Sequence, residues 1–158
     1  MSADSDSGWC IREMTAEDVP AVYALEAALF PRDAWPERMF REELAQADTR
    51  RYWVVEDGGS IVAYCGMMCV LPLADVQTIA VVPGHEGRGI GSALLTGLIE
   101  EARGRGARDV MLEVRADNPR AQALYVRFGF EPIHVRKGYY PGGTDAVIMR
   151  LMLQPGPR

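Results

Sequence analysis

The sequence predicts a mixed α/β fold, and three observations carry that prediction. Short apolar runs rich in β-branched residues alternate with stretches of helical periodicity. Three strand-like runs follow one another in the first half, the first two joined by Asp57-Gly58-Gly59-Ser60. In the second half, strand and helix signals alternate, which suits strand–helix–strand units.

Each element has its own signal. Ile11–Met14 reads as a first strand. Thr15-Ala16-Glu17-Asp18 resembles a capping box and opens a helix through Val19, Val22, Tyr23, Leu25 and Leu29, with Glu26 as the polar exception. Pro31 ends that helix, and Pro36 opens a second with Met39, Phe40 and Leu44 on one face. Tyr52–Glu56 and Ile61–Val70 flank the Asp-Gly-Gly-Ser turn, and Leu73–Val82 is the third consecutive strand. A helix follows with Ile90, Leu94, Leu95, Leu98 and Ala102 on one stripe, stopped at Gly104/Gly106. Val110–Val114 is a short strand, Pro119–Phe128 a helix closed by Gly129, and Ile133–Arg136 with Ala146–Leu153 a final hairpin pair. The predicted order is β-α-α-β-β-β-α-β-α-β-β. Residues 9–153 are expected to form one domain between loose tails, residues 1–8 and Gln154–Arg158.

Composition narrows the function classes. The 158 residues are 48% hydrophobic and 25% charged, ordinary for a globular chain. A net charge of −5 argues against a nucleic-acid partner and suits a basic one. No apolar run approaches the roughly 18 residues that span a bilayer, so no membrane partner is expected. The polar, acidic start lacks the features of a secretion signal, and three cysteines, Cys10, Cys65 and Cys69, fit a reducing, cytoplasmic setting. Cys65 and Cys69 share a strand face and read as core packing. With only His85 and His134 elsewhere, no metal is expected.

The chemistry-bearing stretch is Ile79-Ala80-Val81-Val82-Pro83-Gly84-His85-Glu86-Gly87-Arg88-Gly89-Ile90-Gly91-Ser92. A strand stops at a proline, a glycine-rich loop follows, and a helix begins. Unshielded loop amides and the unpaired N–H groups of a helix start make a phosphate or pyrophosphate site. The nucleotide-triphosphate loop is excluded, because no lysine follows the glycines. The dinucleotide fingerprint fails because Ser92 or Leu94 stands at its third glycine, and too little chain follows Glu113 for a doubly wound sheet.

A second segment, Asn118-Pro119-Arg120-Ala121-Gln122-Ala123-Leu124-Tyr125 with Phe128-Gly129-Phe130, completes a pattern with Glu86-Gly87-Arg88-Gly89-Ile90-Gly91. Together with the element order, these motifs resemble the GCN5-related N-acetyltransferase (GNAT) superfamily over residues 10–153. Leu112-Glu113-Val114-Arg115, Tyr139-Tyr140-Pro141 and the Phe30-Pro31 to Trp35-Pro36 region are similar to its RimI-type branch, bacterial enzymes that acetylate the N-terminal alanine of a small-subunit ribosomal protein. Glu86 departs from the superfamily's Gln/Arg at that position.

The resemblance implies acetyl-CoA as acetyl donor, without a metal. It implies that Ile79, Ala80, Val81, Gly87, Arg88, Gly89, Ile90, Gly91, Ser92, Asn118 and Tyr125 bind it. Glu113 is then the general base, Tyr125 the proton donor to the departing sulfur, and the Val81 N–H the group polarising the carbonyl. Trp35, Tyr139 and Tyr140 line the acceptor groove, and the partner is the N-terminal peptide of a ribosomal protein. A peptide α-amine, with pKa near ~8 against ~10.4 for lysine, needs only a modest base. The residues have plainer readings too. Asn118 suits an N-cap, Tyr125 a core aromatic, Glu113 an ion pair with Arg115 or Arg136, and the tyrosine pair hairpin packing. Acetylation of a small-molecule amine or a lysine, and non-catalytic acetyl-CoA binding, are the competing functions.

Overall fold

The computed structural model describes residues 8–153, and the two terminal segments predicted as tails lie almost wholly outside them. The observed elements are β1 (Trp9–Glu13), α1 (Val19–Leu29), α2 (Glu37–Leu44), β2 (Arg50–Asp57), β3 (Ser60–Val70), β4 (Leu73–Val81), α3 (Ile90–Gly104), β5 (Asp109–Arg115), α4 (Pro119–Arg127), β6 (Glu131–Arg136) and β7 (Ala146–Met152). Two short 3-10 turns, Ala16–Asp18 and Pro83–His85, precede α1 and α3. This is the predicted order. The strands hydrogen-bond in the sequence β1-β2-β3-β4-β5-β7-β6, all pairs antiparallel except β4 with β5 among the registers described.

Strand boundaries differ by one or two residues from those predicted. β1 starts at Trp9 because the ladder pairs Trp9 with Asp57 and Cys10 with Glu56, a register that no local pattern reveals. The Thr15–Asp18 pairing forms around a 3-10 turn rather than directly on α1, with Asp18 accepting the Thr15 N–H at 2.7 Å. Pro36 is the residue before α2. Met39 is exposed while Phe40 is fully buried, because consecutive helical residues point about 100° apart and only one can face the core.

The chain divides into two compact units. Of the described residues, the first comprises residues 8–68 and 77–98. Its core gathers Met14, Val19, Val22, Phe40, Tyr52, Val54, Tyr64 and Ala80, with Leu25, Leu29, Trp35 and Leu44 packed against it. The β2–β3 hairpin turns through Gly58 (φ 61°) and Gly59 (φ 84°), positive values that favour glycine and match the tight-turn signal. Gly66 faces Tyr52 across that hairpin, and an added Cβ would overlap the tyrosine ring. Cys65 is buried opposite Trp53, and burial pushes its thiol pKa up, as suits a packing role.

Of the described residues, the second unit comprises residues 69–76 and 99–153. Within it, β4 pairs in parallel with β5 from Leu73↔Asp109 to Asp75↔Met111, and β5 pairs along its whole length with β7. Val110, Leu112, Val114, Phe130, Ala146 and Met149 are buried there. The predicted stripe of the α3 helix, Ile90, Leu94, Leu95, Leu98 and Ala102, is buried throughout. Among the described residues no helix is long and apolar enough to cross a membrane.

Candidate active site

In the first unit the candidate cofactor loop begins where β4 ends. Val82 donates its N–H to Val62 of β3 at 3.0 Å. Alternation along a strand therefore aims the Val81 N–H away from β3. The chain then turns through Pro83–His85 and reaches Gly87 (φ 79°) and Gly89 (φ 82°), both in the left-handed region. The Ala93 N–H bonds the Gly89 carbonyl at 3.0 Å and opens the α3 ladder. The first-turn amides of Ile90, Gly91 and Ser92 precede that bond and stand at the positive end of the helix. The Ile90 side chain is buried and Ala80 belongs to the core, so both can offer a ligand only their backbone.

The Arg88 guanidinium meets the Asp57 carboxylate at 3.0 Å, and the same carboxylate oxygen lies 2.9 Å from His85 Nε2. These two neighbours, Arg88 foremost, hold the Asp57 carboxyl below its usual range. Sequence reasoning used Asp57 only as a turn residue and did not connect it to the loop. Trp35 packs on Phe40 with ring centroids 5.2 Å apart, and its backbone N–H donates to Glu26 at 3.0 Å. It is half-buried against the core of this unit.

In the second unit Glu113 stands on β5 opposite Ile148, its side chain about a third exposed (36%). The neighbouring Glu113 carboxylate raises the Tyr139 phenol pKa above its ordinary value. Arg136 lies 3.8 Å from Glu113 and 5.5 Å over the Tyr139 ring. Of the two arginines that sequence offered as ion-pair partners for Glu113, the pair forms with Arg136. Arg115 instead bonds Asp117 at 3.0 Å and lies 4.9 Å over the Tyr140 ring. Tyr139 and Tyr140 meet edge to face at 5.1 Å. Asp145 secures the turn that carries them, accepting the Gly138 N–H at 2.9 Å and pairing with Lys137 at 3.2 Å.

Asn118 is the N-cap of α4, accepting the Ala121 N–H on its side-chain oxygen at 3.1 Å. The cap leaves the side-chain amide as the group that can donate to a ligand. Two α-helical turns further along, Tyr125 is buried and packs edge-on to Phe130 at 5.9 Å. The plain readings of both residues, an N-cap and a core aromatic, are thus real. Asp75, half-buried on β4, has its pKa raised by burial and by the charge of Glu113.

A family profile described as "Acetyltransferase (GNAT) family" matches residues 19–130, well over half of the chain. The chain is 37% identical over 146 residues to the [ribosomal protein bS18]-alanine N-acetyltransferase of Escherichia coli K12, covering 89% of this chain and 95% of that protein. It is 40% identical over 156 residues to the N-alpha-acetyltransferase RimI of Mycobacterium tuberculosis, covering 95% of this chain and 96% of the relative. The crystal structure of the ribosomal-protein-S18-alanine N-acetyltransferase from Escherichia coli superimposes with a TM-score of 0.83 at 33% identity, over 95% of this chain and 97% of that one. A strand-ending glycine loop on a helix N-terminus, an asparagine-capped helix carrying a tyrosine, and similarity over nearly the full length agree: the chain belongs to the GNAT family of acetyltransferases.

Proposed function

We propose that this chain transfers the acetyl group of acetyl-CoA to the N-terminal α-amine of a protein, with the N-terminal alanine of a small-subunit ribosomal protein as its substrate. The observation that carries the reading is the grouping of Glu113, Arg136 and Tyr139, with the Glu113 carboxylate 3.8 Å from Arg136 and that guanidinium 5.5 Å over the Tyr139 ring. It sets a carboxylate base beside an aromatic turn able to flank a peptide end. The names of the relatives support the same substrate class.

Bound acetyl-CoA supplies an acyl group activated as a thioester. The residues of the chain do the rest. The Gly87–Ser92 amides, with Arg88, receive the pyrophosphate; Ile79, Ala80 and Val81 offer strand backbone, and Asn118 donates its side-chain amide. The Val81 N–H polarises the carbonyl oxygen. Glu113 takes the proton of the attacking amine, and the Tyr125 hydroxyl gives its proton to the departing sulfur. A phenol near ~10 can protonate a thiolate whose conjugate acid lies near ~8.5. Tyr139, Tyr140 and Trp35 contact the peptide. No metal takes part, and the reaction belongs in the cytoplasm, where ribosomal proteins are made.

The test is acetylation of short peptides that differ in their first two residues, with the acetyl group located by mass spectrometry. Peptides beginning with a small residue such as alanine should be labelled on the α-amine, and an N-terminally blocked peptide carrying a lysine should react far more slowly. Equal labelling of lysine rejects the N-terminal reading and leaves the acetyltransferase assignment standing. Because the chain carries a net charge of −5, the rate on a basic peptide should fall as salt rises.

A further inference from the structure

We infer that Asp57 is a positioning residue for the cofactor loop: its carboxylate fastens the loop to the β2–β3 hairpin on both sides of the Glu86–Gly87 turn, holding the amides ready for phosphate. The inference rests on the reading of that loop as the phosphate site.

The loop needs an external fastening. Gly87 and Gly89 both sit at positive φ, and a glycine-rich segment loses more conformational freedom on ordering than any other. Asp57 provides the fastening from a rigid place. It ends β2, is paired in register with Ser60 on one side and Trp9 on the other, and stands at the root of a tight Gly58-Gly59 turn. One carboxylate oxygen takes His85 Nε2 at 2.9 Å and Arg88 Nη1 at 3.0 Å, so a single fixed atom captures the loop at two points three residues apart. His85 is half-buried, and its Nδ1 is enclosed with no hydrogen-bond partner among the described residues. The ring is therefore placed by its Nε2 contact with Asp57 and by packing. A bare carboxylate beside a phosphate site would repel the ligand. Asp57 is compensated by Arg88, and a capture of this kind sets the direction of the Arg88 side chain.

Two opposite outcomes separate positioning from repulsion. If Asp57 positions the loop, Asp57→Ala raises the acetyl-CoA Kd and KM about tenfold, with kcat and the peptide KM nearly unchanged. Amide hydrogen exchange across residues 86–91 quickens in that variant, while exchange in β3 stays as it was. Asp57→Asn, which keeps an acceptor oxygen, falls between. His85→Ala alone raises the acetyl-CoA KM by a smaller factor and adds nothing in the Asp57→Ala background. Acetyl-CoA binding as tight as or tighter than wild type in Asp57→Ala overturns the inference. If Asp57→Ala does not fold, His85→Ala leaves the hairpin intact, and an unchanged KM there overturns it equally. Gly89→Val reports on the underlying reading. Binding lost in Gly89→Val but kept in Asp57→Ala sinks the positioning role alone, and binding kept in Gly89→Val sinks the loop assignment itself.

Discussion

The Tyr64 hydroxyl on β3 donates to the Glu26 carboxylate on α1 at 2.6 Å. Glu26 is 4% exposed, and its other oxygen accepts the Trp35 backbone N–H at 3.0 Å. This explains the polar exception in the α1 stripe. A buried carboxylate ties the helix to the sheet on one side and to the α1–α2 connection on the other. Burial and the Glu26 contact together push the Tyr64 pKa far above that of an ordinary phenol.

Tyr64→Phe should therefore cost about 1–3 kcal/mol, because it leaves one oxygen of a buried carboxylate without its donor. Glu26→Gln in the same background should recover part of the loss by removing the charge. Urea denaturation of wild type and the two variants measures both effects. A Tyr64→Phe variant as stable as wild type would show that water replaces the hydroxyl.

Asp18 predicts a pH dependence. Its carboxylate takes two bonds from Arg12 at 2.7 Å each and the Thr15 N–H at 2.7 Å. The Arg12 contact, as the leading cause, holds its folded pKa below the ordinary 3.8. A depressed carboxylate contributes stability that is present above the unfolded pKa and is lost as pH falls through the folded one. Asp18→Asn should thus be less stable than wild type by about 1–2 kcal/mol at neutral pH, with the gap closing as pH drops below about 4. Thermal melts of both proteins from pH 7 to pH 3 read the gap directly. A constant gap across that range contradicts the assignment.

Gly89 sits at φ +82° at the start of α3, where an L side chain is strained by about 1–2 kcal/mol. In Gly89→Val the strain acts on the loop, and the branched side chain enters the place proposed for the ligand's phosphate. Calorimetry should show acetyl-CoA affinity reduced at least about tenfold in a variant that still folds. Undiminished affinity would remove the loop from the cofactor site.

Glu113→Gln and Tyr125→Phe separate chemistry from binding. Each keeps its shape and loses one proton-transfer group, so kcat should fall by ~10²–10⁴ with acetyl-CoA affinity little changed. Rapid-quench turnover together with equilibrium binding makes the distinction. Near-normal kcat in both variants would assign the reaction to positioning alone.

Much of this molecule is written locally. The order of elements is legible because periodicity, proline stops and Asp-Gly turns act over a few residues, as at Pro31, Asp57-Gly58 and Gly129. The glycine loop and the Asn118 cap are legible for the same reason: backbone amides at a helix start are a property of the chain next to them. Tertiary structure decided what depends on register and packing between distant segments. It paired Glu113 with Arg136 rather than Arg115, because β6 and β7 hydrogen-bond, and the turn beyond β6 sets Tyr139 under the Arg136 guanidinium. It turned Met39 outward and buried Glu26 against Tyr64. It also set Asp57 beneath His85 and Arg88, which lie 28 and 31 residues further along the chain. A one-residue change of strand register would send the strand residues Asp57, Tyr64 and Glu113 to the other face, and no local pattern encodes that choice.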